Sequence, residues 1–93
     1  MFNRIAAERG HRIWAMASHS ASFGDVLRRL RMAAALSQEE LAERAGLSAR
    51  GISDLERGVS QAPRPETLRL LVDALKPGER DREMLFAAAR AGR

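Results

Sequence analysis

Ala49, Arg50, Ser53, Asp54 and Arg57 lie within the stretch ARGISDLERG. If that stretch is helical, their spacing of one, three, one and three residues puts them on one stripe,. Two guanidinium forks, a hydroxyl, a carboxylate and a methyl side by side form a hydrogen-bonding edge, not a reaction centre. Arg forks match phosphate oxygens and guanine edges better than Lys point charges do. The rest of the chain offers little for catalysis. It has no Cys, which excludes disulfides, thiolate nucleophiles and Cys-based metal sites,. His11 and His19 have no metal-ligand companion nearby, no Ser or Gly-rich catalytic constellation appears, and Glu39 and Glu40 point to different helix faces or to solvent,. The reading is a binding protein with no cofactor and no metal, not an enzyme.

Composition agrees. Ninety-three residues suit one domain and leave little room for a second core,. Hydrophobic residues at 45% against charged residues at 30% describe a globular chain, neither disordered nor membrane-spanning,. The 16 basic residues outnumber the 12 acidic ones, giving a net charge of +4, and all but Lys76 are Arg. That balance permits an acidic partner, although Arg and Ala richness is equally a mark of genomic base composition. The absence of Cys is compatible with a reducing cytoplasm,.

The elements that must position the stripe follow from apolar spacing. Phe23, Val26, Leu27, Leu30 and Ala34 form one helical stripe; Leu41, Ala42 and Ala45 a second; Ile52 and Leu55 a third,. Leu68, Leu71, Val72 and Leu75 follow, then Met84, Leu85, Ala88 and Ala91. No β alternation competes, so the fold class is all-α. The spacing predicts a compact bundle of helices at about 23–35, 38–45, 49–57, 65–75 and 79–91,. Ser37 with Glu40 reads as a capping box, with Leu36 stapled onto Leu41, and Ser48 as the next cap,. Gly46 and Gly58 are helix stops, Pro65 a first-turn proline, and KPGE at 76–79 a turn,. A break as short as AGLS forces the second and third helices to cross steeply. The outer face of the third then projects from the body, a short braced helix with small and polar residues that fits a DNA major groove. Residues 1–22 lack a sustained period and read as a flexible leader, with Ile13 and Trp14 available for a small extra helix and Met16 for an alternative start,.

LSQEELAERAGLSARGISDLERG resembles the helix-turn-helix of the phage-repressor and Cro-type, or XRE, family. The matching elements are Ser37-Gln38, Ala42, Gly46, Ile52 and the closing Leu55-Glu56-Arg57-Gly58. The wider likeness runs from Phe23 to about Leu75, and the final helix continues as in a bacterial subgroup reading ARGISDLERG…APRPETLRLL. The resemblance implies a lambda-repressor-like DNA-binding domain over 23–91, its helix-turn-helix at about 37–57, acting in transcription regulation. It implies base reading by Ala49, Arg50, Ser53 and Asp54, with Arg50 forking onto guanine, Ala49 on a thymine methyl, and Asp54 accepting from cytosine or orienting Arg50 or Arg57. Gln38, Arg57, Arg64 and Thr67 would hold phosphates, and Arg31 with Glu56 a partly buried structural ion pair. Two residues depart from easy expectation. Ala35 stands where relatives often have Gly, and Gly51 lies inside the reading helix,.

Double-stranded DNA is the expected partner, bound by a possible homodimer, and no apolar run approaches membrane-spanning length. A second reading is an antitoxin-like or other protein-interaction module. The helix at 79–91 carries Met84, Leu85, Phe86, Ala87, Ala88 and Ala89, more apolar surface than one face uses, and would serve as a dimer seam or docking site. Ordinary packing, with Phe86 folded over the first helix, is the bland account of the same residues.

Overall fold

A computed structural model describes residues 22–59 and 62–92. They contain α1 (Phe23–Ala33), α2 (Gln38–Ala45), α3 (Ala49–Arg57), α4 (Pro65–Leu75) and α5 (Glu79–Ala91), with no strand among the described residues. The leader reading of residues 1–22 lies outside the described residues except for Ser22. The bounds of α2 to α5 are those the periodicity predicts, whereas α1 ends two residues before the expected 35.

The helix starts are set by short local bonds. At α2 the Glu40 N–H donates to Ser37 Oγ at 3.0 Å and the Ser37 N–H to Glu40 Oε1 at 2.8 Å, the expected capping box,. Ser48 Oγ accepts from the Gly51 N–H at 3.0 Å, and Pro65 opens α4 where a missing N–H costs nothing,. A second capping box, not anticipated, joins Ser22 and Asp25 at α1, so Ser22 is part of the domain.

The ends of α1, α2 and α3 share one pattern. Leu36, Leu47 and Val59 donate their N–H groups back to the carbonyls of Arg31, Ala42 and Asp54 at 3.1, 2.9 and 2.9 Å, closing Schellman motifs over a left-handed residue,. That residue is Gly46 in α2 (φ 73°) and Gly58 in α3 (φ 80°), but Ala35 in α1 (φ 60°). A Cβ in that conformation costs about 1–2 kcal/mol, so α1 carries strain that the other two avoid. Lys76, after α4, is the second left-handed non-glycine residue among the described residues (φ 49°).

Packing then follows the apolar stripes. α1 lies against α3 and α5, and α2 against α3 and α4. Phe23, Leu27, Leu41, Ile52, Leu71 and Leu85 are the largest fully buried side chains, so every helix contributes to one core. Three expected core positions change. Ala34 and Ala91 are exposed, Ala34 as the C-cap residue just beyond the end of α1. In α5 the inner face is Leu85 and Ala89; Phe86 is half-buried and lines a groove between α4 and α5.

Gly24 fixes how closely α1 meets α3. A Cβ there would stand 2.4 Å from the Leu55 carbonyl oxygen and 2.7 Å from that of Glu56, contacts that no side chain tolerates,. Backbone therefore rests on backbone at this crossing.

Candidate nucleic-acid interface

α3 is short, and nine residues of intrinsic helix propensity do not make a stable helix in water,. Its rigidity comes from its neighbours. Ile52 and Leu55 are buried, Gly24 seats α1 against its last turn, and Glu56 anchors it from the side. Arg31 Nε donates to Glu56 Oε2 at 2.6 Å and Arg31 Nη2 to Glu56 Oε1 at 3.0 Å, a forked pair whose side chains are 12% and 4% exposed,. Arg31 Nη1 also donates to the Leu36 carbonyl at 2.8 Å, so one guanidinium ties α1, the turn after it and α3. The hydrogen bonds that Arg31 donates to Glu56 hold the Arg31 pKa above its ordinary value against the opposing effect of burial,.

Gln38 joins the same carboxylate, its Nε2 donating to Glu56 Oε1 at 3.0 Å. One amide N–H is thus committed inside the protein, and the second remains for an outside acceptor. The first residue of α2 and the last turn of α3 are thereby held in fixed register. At the same helix start, hydrogen bonds from the Ser37 backbone N–H and hydroxyl hold the Glu40 carboxyl below its ordinary range,.

The outer stripe of α3 is arranged around Asp54. Arg57 Nη2 donates to Asp54 Oδ1 at 2.9 Å, and Arg50 Nε lies 3.9 Å from Asp54 Oδ2. The Arg50 side chain is 85% exposed and that of Arg57 63%, against 27% for Asp54. The carboxylate stands between two guanidinium groups that reach past it. Exposed pairs of this kind contribute about 0–1 kcal/mol to stability, so Asp54 steers the two cations far more than it strengthens the fold. Ser53 is half-buried on the same stripe; Ala49 is half-buried too and packs partly on the core.

Beside the amino end of α3 lies a cleft of about 340 Å³, lined by Ser48, Gly51, Arg64 and Thr67 with Leu47, Leu55, Ala62 and Pro63. It brings the expected phosphate residues Arg64 and Thr67 together with the cap of α3. Gln38 is not part of it. Ser48 and Gly51 are additions to the sequence-derived site: in sequence Ser48 reads as a helix cap and Gly51 as a glycine inside the helix, and only the fold sets them beside Arg64. A Cβ on Gly51 would lie 3.1 Å from Ser48 Oγ, a tight contact that a shift of a few tenths of an ångström would relieve.

A family model described as a helix-turn-helix domain matches residues 22–85. The HTH-type transcriptional repressor RghR of Bacillus subtilis (strain 168) is 46% identical over 55 residues, covering 59% of this chain. The matched region spans 41% of that relative's length. No solved structure matches the chain.

Proposed function

The chain belongs to this helix-turn-helix domain family, and on that premise we propose that it is a sequence-specific DNA-binding regulator of transcription that reads the major groove with α3. The observation that carries the proposal is the outward stripe of α3, two exposed guanidinium groups around Asp54 on a helix immobilised from behind by Arg31, Glu56 and Gly24. Arg50 reaches a guanine edge with its fork, and Ser53 and Asp54 select the neighbouring bases, with Ala49 against a thymine methyl. Asp54 also aims Arg50 and Arg57, the latter toward the backbone. Phosphates take the free N–H of Gln38 and the partial positive charge at the start of α2 on one side, and Arg64 with Thr67 on the other. These contacts position the protein without carrying sequence information, and their strength falls with salt. Two copies on half-sites about one helical turn apart would read an inverted repeat. A chromosomal target makes the cytoplasm the place of action, and no part of the reading calls for catalysis or a cofactor.

Selection from a random duplex library at about 0.15 M salt, where exposed charges are substantially screened, tests the proposal. The expected result is a recovered motif with a guanine whose preference disappears in Arg50→Ala. Binding that stays blind to sequence and vanishes with salt would overturn it.

A further inference from the structure

A groove of about 940 Å³ lies between α4 and α5, and the DNA reading makes no use of it. Its deepest lining is Leu68 and Ala89, with half-buried Val72 and Phe86 above them. Around this apolar strip stand Arg69, Lys76, Arg82 and Arg90, all exposed, against one carboxylate, Asp73. Four cations to one anion is a sharper imbalance than the 16 to 12 of the whole chain. The acidic residues of α5, Glu79, Asp81 and Glu83, lie outside the lining. The Arg82 guanidinium sits 5.7 Å from the centre of the Phe86 ring, a cation–π contact that keeps a charge at the edge of the apolar strip,.

We propose that this groove receives an acidic amphipathic helix of a partner protein, its apolar side chains on Val72 and Phe86 and its carboxylates on Arg69, Lys76, Arg82 and Arg90. The proposal goes beyond DNA reading and does not depend on it. Both walls are helices and the described residues offer no strand edge, so recognition by strand addition is unavailable and a helix laid in the groove is the fitting mode,. A second copy of the chain is a poor occupant. A two-fold contact sets a patch against itself, which here would bring cation onto cation. Duplex DNA would satisfy the charges and leave the apolar strip without a partner.

Fluorescence anisotropy with a labelled helical peptide of about 15 residues, carrying Glu between Leu and Phe at helical spacing, tests this directly. Two control peptides share its length: one with Lys for Glu, and one of the same composition without an apolar face. The acidic amphipathic peptide is expected to bind alone of the three. Binding should weaken about tenfold or more in the Arg69→Glu/Arg82→Glu double variant, whose circular dichroism and thermal unfolding confirm the fold. It should also survive an excess of unlabelled duplex DNA. Failure of the acidic peptide to bind, or equal binding by either control, would overturn the proposal. Displacement by duplex DNA would assign the groove to phosphates instead, and dimerisation abolished by the same double variant would assign it to a second copy.

Discussion

From Ser22 to Arg57 directed polar contacts are added to the apolar core; from Gly58 onward the described residues are joined by apolar packing. All the side-chain hydrogen bonds found among the described residues fall in the first stretch: two capping boxes, the Ser48 cap, the Arg31–Glu56–Gln38 cluster and the Asp54–Arg57 pair. In the second, α4 and α5 begin at Arg64 and Gly78 with no side-chain cap, and meet the core through Leu68, Leu71, Leu85 and Ala89. Polar networks fix distance and angle, whereas apolar contact rewards burial in any register that fills space. The half that carries the proposed DNA-reading stripe is fixed atom by atom, and the half that completes the core retains an open groove.

Substitutions can break that contrast. The largest effect is expected for Glu56→Ala, which strips Arg31 and Gln38 of their shared acceptor and should lower unfolding free energy by about 3–5 kcal/mol in urea titration,. A loss near zero would mean that the network orients the helices without holding them. Gly24→Ala should follow, at about 1–3 kcal/mol or more, because the intruding Cβ meets carbonyl oxygens that cannot rotate away,. Arg50→Ala should leave unfolding unchanged and cost about 1–3 kcal/mol in binding to the selected sequence only, read by titration against matched and mismatched duplexes. Ala35→Gly should stabilise by up to about 1 kcal/mol, the relief of left-handed strain less the added freedom of the unfolded chain,. The smallest effect concerns acid. The Glu40 carboxyl is lowered in the folded state, so its contribution is complete above the ordinary Glu range and is lost as pH falls through the lowered value,. A plot of stability against pH should lose that acid limb in Glu40→Gln.

What the sequence discloses divides along similar lines. Ser37 with Glu40, Ser48, Gly46, Gly58 and Pro65 act on residues within four positions of themselves, so helix bounds are legible from spacing alone. The stripe around Asp54 is legible for the same reason. Ser22 and Asp25 carry an equally local signal, but it is hidden in a Ser-rich run that reads as linker. The role of Gly24 depends on where α1 crosses α3, and the tie between Gln38 and Glu56 spans 18 positions; neither leaves a local mark. Phe86 shows the limit of periodicity. In a helix with apolar residues at six successive positions, 84–89, several faces are equally apolar, and only the neighbours choose the inner one,.

If α3 reads DNA as proposed, the close seating of α1 on α3 at Gly24 bears on the duplex as much as on the protein. With carbonyl oxygens in place of pliable side chains at this crossing, the last turn of α3 has little room to move toward α1. Any misfit between its stripe and a groove must then be taken up by the duplex, through twist, groove width or bending. Operators would be ranked partly by how readily their uncontacted base steps deform, so two sites with identical contacted bases would differ in affinity according to the stiffness of the DNA between them.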